Sequence, residues 1–191
     1  MGNTLWRTPE VEFLKWHALF GFTVDAAASE NDALLRPSDS VWAQPGEVCD
    51  PCANTGRLHV VGRYISEAED GRKAEHYQPH DRVYCNPPYK HLLPWLKVAR
   101  ETSRYLEDVL WCLLLPVSTD TRWFHRYCYD ERLQRPREGV ELRFLPYRIP
   151  FDPPPGQTAP GPRAPSLVVI FHPREESSRP QRAPIVQGRR P

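Results

Sequence analysis

The 191-residue sequence lacks several features that mark common classes of protein. Its 25 basic residues face 24 acidic ones, and this near balance excludes a protein that holds nucleic acid by bulk charge alone. No apolar run approaches the roughly 20 residues of a membrane span. The first residues carry acids and aromatics rather than the apolar core of a secretory signal, so we expect a cytoplasmic protein. The five cysteines are an odd number, which predicts free thiols rather than a disulfide framework.

Proline and arginine are abundant, and the proline excess is local. Seven of the sixteen residues between Pro150 and Pro165 are proline, which predicts a loop. Prolines recur after His172, together with several arginines. The length suits one domain with its own core. We therefore predict a single domain over residues 1–172 with a proline-rich loop at 150–165, followed by a disordered tail at 173–191.

Strand-like and helix-like segments alternate along the chain. Short apolar segments predict strands at residues 22–24, 58–61, 82–85, 109–115, 140–145 and 166–171. Helices are expected at three places: after Thr8, as N-cap, with Pro9 as first helical residue; from His91 to Leu106; and after Thr119. Several strands are apolar throughout, as is typical of strands covered on both faces. The alternation thus predicts an α/β sheet with helices on both faces.

Two predicted strands end on residues with distinctive chemistry, at the place where α/β sheets bind ligands. One ends on Asp25 and three alanines, and the other on Asn86-Pro87-Pro88-Tyr89. Prolines supply no N–H donors, so the second loop offers the oxygens of Asn86 and Pro87 beside the ring of Tyr89. Such a loop fits a planar molecule that carries an exocyclic amino group.

The same loop predicts a reaction. Hydrogen bonds from the amino group to Asn86 and Pro87 would localise the nitrogen lone pair for attack on a methyl group. If the amine belongs to DNA, its base must leave the stack, and Tyr89 would receive it. A simple turn after a strand is the alternative reading of these four residues.

Four segments together resemble the phage DNA N6-adenine methyltransferases (Dam-like), which are class I, S-adenosylmethionine-dependent enzymes. They are Trp6-Arg7-Thr8-Pro9, residues 21–29, Cys85-Asn86-Pro87-Pro88-Tyr89 and residues 115–125. The resemblance implies a Rossmann-like class I methyltransferase fold, a three-layer α/β/α sandwich with a mixed, mostly parallel sheet. It also implies adenine-specific methylation of DNA, with S-adenosylmethionine as cofactor and DNA as partner. The short apolar runs, in turn, predict no membrane association. A phage-encoded enzyme would work in the bacterial host cytoplasm.

The resemblance implies roles for individual residues. Asn86, Pro87, Pro88 and Tyr89 would bind and activate the target amine. The cofactor would be held by Trp6, Thr8, Pro9, Asp25, Ala26, Ala27 and Asp70. Within that set, Asp25 would contact the methionine moiety, since a carboxylate at a strand end can pair with its α-ammonium. Asp70, in a segment similar to the family's acidic Asp-Gly motif, would contact the adenosine end.

One stretch departs from the family pattern and is predicted to be an insertion at about residues 32–62. It contains Asp50 in a segment similar to the cofactor loop of other methyltransferases, so Asp50 competes with Asp25 for that role. The helix and strand that lead into Asp25 favour Asp25.

The predicted insertion also holds a single CxxC, formed by Cys49 and Cys52, with His59, His76 and His80 further along the chain. Because a zinc site needs four ligands and a lone CxxC supplies half of them, we expect a free-thiol loop and no metal.

Two other functions stay open from the sequence. A protein-glutamine N5-methyltransferase would use the same loop chemistry on an amide. A non-catalytic DNA-binding module with a zinc-stabilised insert would keep the fold and lose the cofactor. The recognition sequence, the preference for single- or double-stranded DNA and the oligomeric state do not follow from the sequence.

Overall fold

The computed structural model describes residues 7–28, 33–35, 62–66, 68–153 and 164–174. Its helices are α1 (Glu10–Phe20) and α2 (Leu92–Tyr105). Its strands are β1 (Val24–Asp25), β2 (Arg63–Tyr64), β3 (Arg82–Cys85), β4 (Leu110–Pro116), β5 (Tyr129–Asp130), β6 (Arg135–Pro136), β7 (Val140–Phe144) and β8 (Ser166–Phe171). A π-helical turn (Phe124–Cys128) precedes β5.

Six strands form one mixed sheet in the order β2-β1-β3-β4-β8-β7. The first four are mutually parallel, and β8 runs antiparallel to both β4 and β7. The carboxyl ends of β1, β2, β3 and β4 therefore lie at one edge of the sheet, and β7 ends at the same edge because it runs parallel to β4. We call this edge the carboxyl edge.

Both faces of the sheet are covered, which explains why β4 is apolar along its whole length. On one face, Phe13 and Trp16 of α1 pack with Tyr84 of β3 and alternate residues of β4. On the other, Trp95 and Leu96 of α2 pack with the intervening residues of the same strands. This arrangement confirms the predicted three-layer, Rossmann-like α/β/α sandwich.

α1 begins one residue later than predicted. Pro9, not Thr8, is the N-cap, and its carbonyl accepts hydrogen bonds from the N–H groups of Glu12 and Phe13. The Thr8 hydroxyl does not cap the helix, because it bonds to the buried hydroxyl of Tyr84 instead. α1 ends as expected at Gly21, whose left-handed backbone (φ 60°) closes a bond to the His17 carbonyl.

The segment after β4 differs most from expectation. The predicted helix after Thr119 is a short π-helical turn, and it leads into the β5–β6 hairpin, which the sequence analysis did not predict. The strand predicted at 58–61 lies outside the described residues. No helix among the described residues is long and apolar enough to cross a membrane.

Candidate active site

Three loops meet at the carboxyl edge, after β1, β2 and β3. The register places Asp25 of β1 directly beside Tyr64 of β2 on one side and Tyr84 of β3 on the other. The Asp25 loop, the segment that contains Asp70 and the Asn86-Pro87-Pro88-Tyr89 loop therefore leave adjacent strands. The parallel topology thus brings together segments that are 16 or more residues apart in the sequence.

The Asn86-Pro87-Pro88-Tyr89 loop joins β3 to α2 through a single 3₁₀ turn. Asn86 is half-buried, Pro87 is buried and Tyr89 is 42% exposed. The Pro88 carbonyl accepts the N–H of His91 at 3.1 Å and is used to start the turn. The Pro87 carbonyl, in contrast, accepts no hydrogen bond from any described residue. Pro87, a buried residue, thus offers a carbonyl oxygen that no described donor occupies, next to the partly exposed ring of Tyr89.

Asp25 is only 4% exposed, on the face of the sheet that α1 covers. Its carboxylate accepts the backbone N–H of Leu34 at 2.9 Å. Next to it, Thr8 and Tyr84 share a buried hydrogen bond of 2.7 Å between their hydroxyls. Thr8 therefore fixes the chain before α1 against the end of β3, and the Pro9 cap lies directly beside this contact.

Gly71 lies against the turn that follows β1. A Cβ at this position would come within 2.2 Å of the Ala26 carbonyl oxygen and 3.0 Å of the Trp95 ring. The hydroxyl of Tyr77 donates to the Gly71 carbonyl at 2.5 Å, which holds the segment in place. The loop after β2 thus packs directly against the Asp25 loop, and only glycine permits the approach.

Asp70 precedes this close approach and has a left-handed backbone (φ 61°). Its carboxylate accepts two hydrogen bonds from the Arg72 guanidinium, at 2.5 and 3.0 Å, in a largely exposed pair. The bond from Arg72 lowers the pKa of Asp70, so this carboxylate is ionised at neutral pH.

Three titratable groups of the loop and the strand that leads into it, Tyr84, Cys85 and Tyr89, stay neutral. Burial raises the pKa of Tyr84 and of Cys85, so neither an ionised phenol nor a thiolate is present next to Asn86. Desolvation also raises the pKa of Tyr89, although its ring remains partly exposed. The described part of the site therefore offers carbonyl acceptors, a carboxylate and an aromatic face, but no strong base or nucleophile.

The described residues contain no group of three or more metal-ligating side chains. His76 bonds to the Glu69 carbonyl at 2.6 Å, and His80 lies 3.5 Å from Asp108. Cys49, Cys52 and His59, and with them the expected free-thiol loop, lie outside the described residues.

Most of the predicted site residues meet at the carboxyl edge. Residues from four parts of the chain converge there: Thr8, Pro9, Asp25, Ala26, Ala27, Asp70, Asn86, Pro87, Pro88 and Tyr89. Trp6 and Asp50 lie outside the described residues, so their predicted roles stay predictions. The sequence analysis missed Tyr84 and Trp95. Tyr84 immediately precedes Cys85-Asn86 in a buried strand, and that position could have indicated its contact with the N-terminal segment.

Comparison with known proteins gives one family match. Residues 48–183 match the model of the family described as DNA N-6-adenine-methyltransferase (Dam). This range includes the Asn86-Pro87-Pro88-Tyr89 loop and starts within the predicted insertion, whereas Thr8 and Asp25 precede it. A search of curated proteins finds no match. Among solved structures, a Pyrococcus horikoshii protein named as an RNA methyltransferase is similar over 88% of this chain and 86% of its own, with 16% identity and a TM-score of 0.47.

Proposed function

The chain belongs to the DNA N-6-adenine-methyltransferase (Dam) family, and from this premise we propose that it transfers a methyl group from S-adenosylmethionine to the N6 amino group of adenine in DNA. The observation that carries the proposal is the Asn86-Pro87-Pro88-Tyr89 loop at the carboxyl edge, where the Pro87 carbonyl accepts no hydrogen bond from the described residues and lies next to the partly exposed ring of Tyr89.

The distance between Asp25, which would hold the cofactor, and Asn86, which would hold the amine, supports this assignment. Asp25 lies opposite Tyr84, and Asn86 is two residues further along the direction of β3. With about 3.3 Å per residue along a strand and about 4.8 Å between strands, the Cα atoms of Asp25 and Asn86 lie about 8 Å apart. A methionine moiety held near Asp25 can therefore present its methyl group to an amine held at Asn86.

The residues at the carboxyl edge fit the cofactor. Asp25 supplies a carboxylate for the α-ammonium group, and the small residues Ala26 and Ala27 leave room beside it. The close contact between Gly71 and the Ala26 carbonyl, which leaves no room for a Cβ, brings Asp70 towards the same end of β1. Asp70 would have to give up its bonds from Arg72 to hold ribose hydroxyls, and an exposed pair of this kind contributes only about 0–1 kcal/mol.

The chain's own residues would activate the amine by hydrogen bonding. The amide oxygen of Asn86 and the carbonyl of Pro87 accept the two N–H groups of the adenine N6, and the ring of Tyr89 stacks on the base. These bonds strengthen as positive charge develops on the nitrogen, so they stabilise the transition state more than the ground state. When bound, S-adenosylmethionine supplies an electrophilic methyl group. A strong base is not required, because the nitrogen loses its proton readily once it carries the positive charge.

The test is methyl transfer from labelled S-adenosylmethionine to adenine-containing DNA, compared between the wild type and Asn86→Ala. Loss of one of two acceptors is expected to lower kcat by about 10²–10³-fold, as for other preorganised hydrogen bonds to developing charge. Cofactor affinity, measured by calorimetry, should stay within a few-fold of the wild type, because Asn86 contacts the amine.

Lys90→Gln is the matched control, since Lys90 is exposed and next to the loop but makes no contact assigned to the reaction. Turnover of Asn86→Ala equal to that of Lys90→Gln would overturn the mechanism. Label that appears in protein instead of DNA would assign the glutamine reaction. Long-read sequencing of host DNA after expression would then give the recognition sequence.

A further inference from the structure

A broad groove of about 800 Å³ follows the outer face of α2, away from the sheet. Its lining includes five basic residues and one acidic residue: Arg72, Lys97, Arg100, Arg104, Arg126 and Glu101. We call this surface the α2 groove. A chain with almost no net charge thus concentrates positive charge at one surface.

The positive charge of the α2 groove is only partly balanced by the protein. Arg72 is paired with Asp70, and Lys97 lies 3.9 Å from Glu101. Arg100 and Arg104 have no carboxylate within 4.0 Å among the residues described. The groove therefore has capacity for anions from outside the chain.

Among the basic residues of the α2 groove, Arg100 has the most positively charged surroundings. Arg100 lines the α2 groove and also a second cavity, at the C-terminal half of α2, together with Arg104, Arg174 and the acidic Glu138. Burial, and then the like charges of Arg104 and Arg137, lower the pKa of Arg100, and the smaller opposing effect of the Glu138 carboxylate does not cancel them. A cluster of guanidinium groups that repel one another in a partly desolvated place is stabilised when an anion binds between them.

Along the helix, the lining of the α2 groove begins at Leu93, four residues after Tyr89, so its first end lies at the start of the helix that follows the Asn86-Pro87-Pro88-Tyr89 loop. α2 begins at Leu92, three residues after Tyr89, and Lys97, Arg100 and Arg104 follow at spacings that place them on one side of the helix. From Leu93 to Tyr105 the helix rises about 18 Å, which equals the axial rise of about five base pairs, at about 3.4 Å per phosphate along each strand. Tyr105, 70% exposed, and Leu93, 52% exposed, lie at the two ends.

We propose that the α2 groove binds the phosphate backbone of the DNA whose base enters the Asn86-Pro87-Pro88-Tyr89 loop. The identity of the polymer rests on the proposed function, and the position of its backbone rests on the charge and length of the groove. Arg100 and Arg104 contact phosphates, and binding there orients the strand along α2 so that one nucleotide reaches Tyr89.

The test measures binding of a fluorescein-labelled 20-base-pair duplex by anisotropy at several NaCl concentrations. The variant is the pair Arg100→Gln and Arg104→Gln. Its control is the pair Arg132→Gln and Arg135→Gln, which removes the same charge from exposed positions of the β5–β6 hairpin that do not line the groove. Both double variants are first checked for cooperative unfolding. We call the first one the groove pair and the second one the control pair. The groove pair is expected to fold, because its substitutions remove the charge repulsion around Arg100.

Each phosphate contact that is lost should flatten the plot of log K against log salt by about 0.9. The groove pair is therefore expected to have a slope about 1.8 shallower than the wild type and a Kd roughly tenfold weaker or more near 0.1 M salt. The control pair should stay close to the wild type. Equal weakening in both pairs would show that only overall charge matters and would overturn the proposal, as would a groove pair that binds like the wild type.

Methyl transfer by the wild type separates this inference from the proposed function. If the wild type methylates DNA but binding ignores Arg100 and Arg104, the groove assignment fails and the function stands. If binding depends on Arg100 and Arg104 but no DNA is methylated, the groove stands and the reaction is wrong.

Discussion

Replacing Gly71 with alanine tests whether the loop after β2 is wedged against the Asp25 loop. The added methyl group would lie 2.2 Å from the Ala26 carbonyl oxygen, about 1.1 Å inside the roughly 3.3 Å of a close carbon–oxygen contact. On its other side the Trp95 ring is 3.0 Å away, so the methyl group is trapped between a backbone atom and a buried indole. No side-chain rotation relieves the first clash, and one of the two loops must move.

The expected cost follows from this geometry. Overpacking of a well-packed site costs about 1–3 kcal/mol. For a protein of this size, a loss of about 2 kcal/mol lowers Tm by about 4–8 °C. A displacement of about 1 Å between Ala26 and Asp70 should also weaken S-adenosylmethionine binding, because the proposed contacts to the two ends of the cofactor lie on these two loops.

Urea unfolding and calorimetric titration with S-adenosylmethionine measure the two effects. Gly62→Ala is the control, since the three nearest atoms that its added methyl group would meet among the described residues all belong to the Leu35 side chain, at 3.1 Å and beyond. Neither glycine has a positive φ, so the comparison isolates packing from backbone strain. The tight packing of the two loops is refuted if the free energies of unfolding of Gly71→Ala and Gly62→Ala agree within about 0.5 kcal/mol and Gly71→Ala binds the cofactor as the wild type does.

Two further substitutions test neighbouring contacts. Thr8→Val should cost about 1–3 kcal/mol in urea unfolding, because it leaves the fully buried hydroxyl of Tyr84 without its 2.7 Å partner. Adding Tyr84→Phe should recover part of that loss, and a purely additive loss would contradict the hydrogen bond. Asp70→Asn should cost under about 1 kcal/mol at pH 7, since the pair with Arg72 is largely exposed. The pKa of Asp70 is lowered by Arg72, so the stability from the pair is present above pH ~4 and disappears as the pH falls through the folded-state pKa, below 3.8. Unfolding curves of the wild type and Asp70→Asn should therefore converge as the pH falls below the folded-state pKa of Asp70, and a constant difference would contradict the ion pair.

The layers of the fold could be predicted because strands that are buried on both faces consist of continuous apolar residues. β4, which has helices over both faces, is a continuous apolar run, and β3 and β8 were predicted with the same boundaries that the structure shows. The π-helical turn and the β5–β6 hairpin could not, because aromatic residues at helical spacing are compatible with several backbone forms. The bond between Thr8 and Tyr84 joins residues 76 positions apart, and no local signal competes with the usual role of threonine as an N-cap.

Site residues could be predicted from the sequence where a single short segment is chemically distinctive. They could not be predicted where a residue's role depends on its contact with a distant segment. Asn86-Pro87-Pro88-Tyr89 is distinctive by itself. Gly71 is not, because an Asp-Gly pair is typical of any exposed turn, and only its distance from the Ala26 carbonyl shows why a side chain is excluded. Asp25 stands between these cases, since its position at a strand end was predicted but its bond from the Leu34 N–H was not.

The α2 groove, too, could be predicted only in part. Lys97, Arg100 and Arg104 form a visible stripe on a predicted helix, yet exposed basic stripes are ordinary on solvated helices. Arg72, from the turn after β2, and Arg126, from the π-helical turn after β4, complete the lining and make the stripe one wall of a groove. The near-zero net charge conceals this, since charge summed along a chain says nothing about how the fold distributes it. Binding of a polyanion depends on the local field, so an almost neutral chain could hold a phosphate backbone near the Asn86-Pro87-Pro88-Tyr89 loop, as we propose for the α2 groove.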